Sequence, residues 1–223
     1  MRSNSKLLKL FGAFFAYFLY SAYISTLLGK IGMESNIIAR VFCDILFMVL
    51  VFFLYRQNLK EDWKRLKKMP ASKIIKNIIM WLIILFGVNI LSGVITKLLA
   101  PNYVIDANTK QVYNLYDKDT WYAIFRLMIF STFVESIMWQ EAIHDNVKDK
   151  TMFVVIASAI GVVMNFVFNG LPSEYALLQV FAYFLPVAVL AIAYLKNDCN
   201  VFIMFFIKML FNLLPLILLV LGV

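Results

Sequence analysis

The stretch that decides the fold is residues 201–221, VFIMFFIKMLFNLLPLILLVL. Only Lys208, Asn212 and Pro215 interrupt its apolar residues. A helix of this length is long enough to cross the ~30 Å hydrocarbon core of a bilayer. A membrane-spanning strand would instead alternate polar and apolar residues, and this stretch does not. The stretch therefore predicts a transmembrane helix.

Similar apolar segments precede it, so the sequence predicts an all-α transmembrane bundle of about seven spans. The composition agrees, because 63% of the 223 residues are hydrophobic and only 15% are charged. A soluble domain of this size cannot bury that much apolar surface. We expect one domain, 1–223, made of three spans and an outside loop (1–119) and a four-span core (120–223). The other predicted spans are 8–28, 36–55, 77–98, 120–142, 152–169 and 176–195.

Lysine and arginine predict the orientation of the bundle. The formal net charge is +8, and the basic residues flank the spans. The positive-inside rule and anionic headgroups explain this charge more simply than nucleic acid does. Segment 56–76 is the most basic loop, so it is predicted to be cytoplasmic. Alternation then puts the N-terminus in the cytoplasm and the C-terminus outside, and the expected surroundings are a lipid bilayer, without nucleic acid.

Cysteine and histidine are too few to suggest a familiar catalytic set. Cys43 and Cys199 fall on different spans at opposite ends of the bilayer, so we expect no disulfide. The only histidine, His144, lies three residues after Glu141 at the cytoplasmic end of the fourth span. We expect it to be an interfacial, solvated side chain. Neither a deep Cys-His or Ser-His-Asp set nor a glycine-rich phosphate loop can be assembled.

Ionisable residues inside spans are costly and are usually paired or functional. In the second span Arg40 and Asp44 lie one helical turn apart, which predicts an ion pair within the helix. In the fourth and seventh spans Glu135 and Lys208 fall at the same depth, roughly 10 Å from the cytoplasmic end at ~1.5 Å per residue. The simplest interpretation of these two is a structural polar clamp between the two spans. The alternative is a variant of a catalytic centre.

Further polar residues surround this clamp in the predicted bundle. Asn212 lies one turn from Lys208 on the same helix face, and Asn165 lies on the fifth span nearer the middle of the bilayer. Arg126 and Gln140 belong to the fourth span. The expected intramembrane polar cluster therefore comprises Glu135, Lys208, Asn165, Asn212 and Arg126.

Three segments give this cluster a recognisable order: Glu135-Ser136-Ile137-Met138-Trp139-Gln140, Gly161-Val162-Val163-Met164-Asn165 and Lys208-Met209-Leu210-Phe211-Asn212. Their order and spacing across 120–215 resemble the CPBP family of CAAX-protease and bacteriocin-processing intramembrane proteases, also called Abi. The family motifs are Glu-Glu-x-x-x-Arg, Phe-x-x-x-His and His-x-x-x-Asn or Asp. Here Ser136 stands for the second glutamate, Gln140 for the arginine, and Asn165 and Lys208 for the histidines.

The resemblance implies a protease-like core that no longer catalyses peptide hydrolysis. In the family the glutamates and histidines bind a metal that activates water for peptide hydrolysis. A catalytic zinc site needs three nitrogen, oxygen or sulfur donors, and a protonated lysine repels a cation. We therefore expect no metal, no cofactor and no catalytic residue. The ammonium of Lys208 would take the charge position of the metal and pair with Glu135, with Asn165 and Asn212 hydrogen-bonded to that pair.

The resulting expectation is a catalytically inactive member of the family in the bacterial cell membrane. It would act as a scaffold, regulator or immunity-type partner of another integral membrane protein. One alternative is an intramembrane metalloprotease with altered ligands. The other is a transporter component in which charged residues line a polar path: Arg40, Asp44, Arg126, Glu135 and Lys208.

Overall fold

The computed structural model describes residues 2–33, 36–101, 114–169 and 176–221, and these residues contain helices and no β-strand. The all-α class is confirmed. Residues 102–113, most of the predicted outside loop, lie outside the described residues. The long helices are α1 (Arg2–Lys30), α2 (Ile37–Lys68), α3 (Ala71–Leu99), α4 (Thr120–Asn146), α5 (Lys150–Asn169), α6 (Ala176–Lys196) and α7 (Val201–Leu221).

Each predicted span coincides with one of these helices. Among the described residues, four helices are long and apolar enough to cross a membrane, namely α2, α3, α4 and α6. The other three contain shorter apolar stretches, Leu7–Tyr20, Lys150–Phe166 and Val201–Leu213. A helical membrane bundle is therefore what the chain forms, and the count of seven spans stays a prediction.

Helix α2 is longer than predicted, because residues 56–68 continue it instead of forming a loop. This stretch, which we call the α2 extension, contains leucine, lysine, glutamate and arginine, which are good helix formers. Its inner face is buried through Leu59, Asp62 and Leu66. The helix ends where Pro70 follows Met69, because proline disfavours helical backbone in the residue before it.

Helix α4 is irregular and lies at the centre of the bundle. It contains two π-helical segments, Arg126–Ser131 and Ser136–Ala142. Between them the Thr132 hydroxyl donates back to the carbonyls of Met128 and Ile129, a contact that often bends helices. Every residue from Ser136 to Ile143 is buried. π-Helical turns are rare and frequently occur at functional sites.

Two apolar clusters hold the helices around α4. One joins α1, α2 and α4 through aromatic contacts, such as Tyr17 with Phe47 and Phe14 with Trp139. The other joins α3, α5, α6 and α7. Within it α5 and α6 approach closely at Gly161, where an added Cβ would lie 2.9 Å from Val187 Cγ2. Small residues permit such approaches between membrane helices.

One end of the bundle carries most of the basic residues of the described chain, and we call it the basic end. The α2 extension, the α4–α5 connection and the α6–α7 turn all meet there. Contacts between these parts show that they share one end, since Val201 N donates to Asp62 Oδ2 at 2.8 Å. The ammonium of Lys9 from α1 lies 5.8 Å from the ring centroid of Tyr55.

Candidate functional site

The structure brings Glu135 and Lys208 together. Lys208 Nζ on α7 lies 2.6 Å from Glu135 Oε2 on α4. The lysine side chain is 9% exposed and the glutamate side chain is 29% exposed. Pairing lowers the cost of placing each charge away from water. This contact is the one that equal depth of Glu135 and Lys208 predicts, and it ties α4 to α7.

The two asparagines of the predicted cluster bond to backbone carbonyls. Asn212 Nδ2 donates to the carbonyl of Leu127 at 2.9 Å, which links α7 to the first π segment of α4. Asn165 Nδ2 donates to the carbonyl of Gly161 in its own helix at 3.0 Å. Asn212 therefore supports the same α4–α7 contact as the ion pair, but it does so through the backbone of α4.

Ser136 and Gln140 follow Glu135 on α4, and both are almost fully buried. Ser136 Oγ and both amide atoms of Gln140 have no hydrogen-bond partner among the described residues. A buried polar group without a partner costs about 1–3 kcal/mol. Such groups are uncommon in native structures and call for an explanation.

The motif positions do not fit a divalent metal. They offer one carboxylate, one hydroxyl, three amides and the ammonium of Lys208, and that ammonium already contacts Glu135. A metal would have to displace this ammonium and would gain only weak neutral donors. Within the described ranges, no group of three or more histidine, cysteine, aspartate or glutamate side chains is arranged to hold a metal ion.

A second polar cluster surrounds the fully buried Asp44, toward the opposite end of the bundle. Its carboxylate accepts a hydrogen bond from the Tyr20 hydroxyl and lies 3.7 Å from Arg126 Nη1. Arg126 also donates to the Tyr122 hydroxyl at 2.6 Å. The guanidinium of Arg40 lies 5.9 Å from the centroid of the Tyr122 ring.

This second cluster changes the predicted role of Arg126. The sequence pattern assigns Arg40 to Asp44, and the structure adds a salt bridge from Arg126, on another helix. Arg126 is thus a partner of Asp44, and in the described parts of the chain it contacts Asp44 and Tyr122 and not the Glu135–Lys208 pair. Sequence reasoning missed both tyrosines, because a tyrosine in an apolar run gives no signal until its neighbours on other helices are known.

A third cluster, at the basic end, was not predicted. The buried Glu141 accepts hydrogen bonds from the Tyr194 hydroxyl and from Asn58 Nδ2. Asn58 Nδ2 also donates to Asp145 Oδ2 at 2.9 Å. These contacts join α2, α4 and α6. The sequence does show a glutamate within an otherwise apolar stretch. Its partner could not be identified from the sequence, because Asn58 reaches Glu141 only through the α2 extension.

Asp62 fastens the α2 extension to the beginning of α7. Its carboxylate accepts hydrogen bonds from Val201 N and from Arg65. Its carbonyl accepts from Asn200 Nδ2 at 2.8 Å. A carboxylate at a helix N-terminus bonds to free N–H groups and complements the helix dipole. Asp62 therefore caps α7 from a distant part of the chain.

His144 and Cys199 also meet at the basic end. The imidazole packs edge-on against Phe153 and Tyr194, with ring centroids 5.3 and 5.4 Å apart, and its Nε2 lies 3.5 Å from Cys199 Sγ. The predicted solvated histidine is only partly exposed, because its ring packs against these two aromatic rings. Burial raises the pKa of the Cys199 thiol, and the Glu141 carboxylate raises it further. The thiol thus stays protonated and weakly nucleophilic.

A pocket of about 290 Å³ opens beside the third cluster, at Asn58 and Asp145, and we call it the basic-end pocket. Helices α1, α2 and α4 form it, and most of its lining is polar. The lining residues are Lys9, Tyr55, Gln57, Asn58, Glu61, Ala142, Asp145 and Asn146.

Comparison of the chain with known proteins adds no family to this geometry. No family model, no curated protein and no solved structure matches the chain. The site must therefore be interpreted from its own residues: a partly buried ion pair between α4 and α7, flanked by one polar cluster on each side.

Proposed function

We propose that this chain is a catalytically inactive, CPBP-like membrane protein that acts by binding another integral membrane protein, as a scaffold, regulator or immunity-type partner. The observation that carries the proposal is the 2.6 Å contact between Lys208 Nζ and Glu135 Oε2. The contact joins Glu135 and Lys208, two motif positions whose counterparts, by the resemblance, bind a metal ion that activates water.

The contact supports the loss of hydrolysis in two ways. The ammonium neutralises the carboxylate that would bind a cation. It also places a positive charge where a metal ion would have to sit, and like charges a few ångströms apart repel strongly in a medium of low dielectric constant. Peptide hydrolysis by a metal-activated water needs the reverse arrangement, with anionic or neutral donors around an open position.

The clusters on either side favour a rigid binding protein. Asp44 with Arg126 ties α2 to α4, and Glu141 with Asn58 ties the same two helices at the basic end. Buried polar groups with hydrogen-bonded partners give a bundle one defined arrangement. Such a bundle can present a fixed surface to a partner without any turnover.

A groove along α1 offers an apolar surface for a partner helix. Its volume is about 410 Å³, and its walls are mostly apolar with Lys30 among them. Amphipathic and membrane helices commonly bind by inserting side chains into such grooves. The lining residues are Leu19, Tyr20, Tyr23, Ile24, Thr26, Leu27 and Lys30.

The test of partner binding is co-purification of the tagged full-length chain from its own membranes in mild detergent, followed by mass spectrometry. We expect one membrane protein to be retained in near-stoichiometric amount. The paired substitution Tyr23→Ala with Leu27→Ala should release it. Ile83→Ala is the matched control, because Ile83 is also an exposed apolar side chain, on α3. Retention of no protein above the level of an unrelated membrane protein would contradict the proposal.

The enzyme alternative is decided on the same preparation. Elemental analysis should find less than one tenth of a zinc ion per chain, roughly the background of a protein with no site. Stoichiometric zinc would overturn the inactive assignment. So would peptide hydrolysis that disappears in Glu135→Gln but persists in the surface control Lys148→Met.

A further inference from the structure

Four polar residues form a continuous line on α4, and we call them the polar stripe: Glu135, Ser136, Gln140 and Glu141. In an α-helix residues four apart lie on one face. The π segment Ser136–Ala142 widens the turn so that residues five apart also align. Glu135 and Gln140 are five apart, and Ser136 and Gln140 are four apart. The irregular winding of α4 thus gathers the stripe on one side.

The middle of the stripe lacks protein partners. Ser136 is 1% exposed and Gln140 is 0% exposed, yet Ser136 Oγ and both amide atoms of Gln140 find no hydrogen-bond partner in the described parts of the chain. Buried polar atoms in native proteins are satisfied by protein groups or by ordered water. A hydroxyl and an amide side by side can offer a water molecule the two or more partners that it needs.

The stripe begins where the basic-end pocket stops. Glu141, the end residue of the stripe, is bonded to Asn58, and Asn58 lines that pocket. Glu135, at the other end of the stripe, lies six residues earlier, or about 9 Å along the helix axis at ~1.5 Å per residue. Beyond Glu135 the helix returns to a dry core, with Val134 and Phe130 fully buried.

We propose that the polar stripe is one wall of a narrow, hydrated half-channel that runs from the basic-end pocket to the Glu135–Lys208 pair and ends there. Its ligand is water, and small hydrophilic reagents can follow the same route. The half-channel does not depend on any partner protein, so it can hold or fail independently of the function proposed above.

Thiol accessibility tests the half-channel. Cys43→Ser and Cys199→Ser provide a cysteine-free chain, and Ser136→Cys then places one thiol on the stripe. Ile137→Cys is the matched control, because Ile137 is the next residue, is 1% exposed and belongs to the apolar core. The purified full-length chain in lipid nanodiscs is treated with a small cationic methanethiosulfonate. A dry core disfavours the reactive thiolate and excludes the charged reagent, so we expect Ser136→Cys to react at least about tenfold faster than Ile137→Cys.

A further variant connects the reaction to the proposed route. Adding Gln140→Leu to Ser136→Cys should slow labelling severalfold, because it removes the polar group between the thiol and the pocket. Labelling that Gln140→Leu leaves unchanged would contradict the route through the basic-end pocket.

The decisive negative result is a slow reaction in a folded protein. If Ser136→Cys is monodisperse and reacts no faster than Ile137→Cys, the stripe is dry and the proposal fails. If Ser136→Cys does not fold, Gln140→Cys takes its place, with the same reagent, control and criterion. Because the measurement needs no partner and no activity, its failure would leave the proposed binding function standing.

Discussion

At the scale of single residues, the charge pair of Glu135 and Lys208 is the feature on which most of the chemistry depends. The two side chains are desolvated unequally, at 29% and 9% exposure. Removing one member leaves the other charge without a partner, and that costs more than the pair itself contributes. Removing both members leaves no charge to solvate.

We therefore expect Lys208→Met and Glu135→Gln each to lower the free energy of unfolding by about 1–3 kcal/mol. Lys208→Met should be the milder of the two, because the Glu135 carboxylate that it leaves unpaired retains some contact with solvent. The double variant should recover most of either loss. Unfolding in detergent, followed by circular dichroism, measures the cycle, with Lys148→Met as a surface control. Additive losses in the double variant would show that the two residues are not coupled.

At the scale of elements, the packing of α5 on α6 depends on one glycine. A Cβ at Gly161 would lie 2.9, 3.2 and 3.4 Å from Val187 Cγ2, Cγ1 and Cβ. Gly161→Ala should lower stability by about 1–2 kcal/mol, because one of the two helices has to shift. Adding Val187→Ala should relieve the clash and restore part of the loss.

The matched control for that substitution is Gly93→Ala in α3. A Cβ at Gly93 meets nothing within 4 Å, and alanine is the better helix former by about 1 kcal/mol. This variant should be neutral or more stable, again by unfolding in detergent. Equal losses in the two alanine variants would show that close packing of α5 on α6 is not the cause.

The connection between the α2 extension and α7 is also an element-scale feature, and it depends on Asp62. Asp62→Ala should remove a cap from α7 at a cost of about 1–2 kcal/mol. Amide hydrogen exchange should then increase in two separate places, the α2 extension and the first turn of α7. Asp149→Ala is the control, since Asp149 caps only its own helix through Met152 N at 2.7 Å. Exchange that increases only in the α2 extension would contradict the cap.

At the scale of the whole molecule, the basic end predicts how the bundle sits in the membrane. The α2 extension, the α4–α5 connection and the last residue of α6, Lys196, carry lysines or arginines at this one end. By the positive-inside rule we expect the basic end to be cytoplasmic, and both the 102–113 segment and the C-terminus to lie outside.

Reporter fusions measure this orientation. We expect a fluorescent protein to be bright after residue 69 and an exported phosphatase to be active after residue 221. A fusion after residue 149 is the internal control, because it should behave like the one after residue 69. A bright fluorescent fusion after residue 221 would mean an even number of spans and would overturn the seven-span prediction.

Much of the architecture follows from composition and from the length of apolar runs. Hydrophobic stretches near the thickness of a bilayer have to become helices, because the hydrocarbon core offers no partner for unpaired backbone groups. The equal depth of Glu135 and Lys208 could be calculated from the sequence as well, since the rise per residue in a helix is nearly constant.

Only the tertiary structure decided which side chains meet. Hydropathy gives the depth of a residue but not the rotation of its helix, so Arg126 as a salt-bridge partner of Asp44 and Tyr194 as the partner of Glu141 appear only when the helices are packed. The same holds for the two π segments of α4, which depend on competing carbonyl bonds and on neighbouring helices. The depth of a residue follows from its position along the chain. The direction of its side chain depends on how all the neighbouring helices pack together.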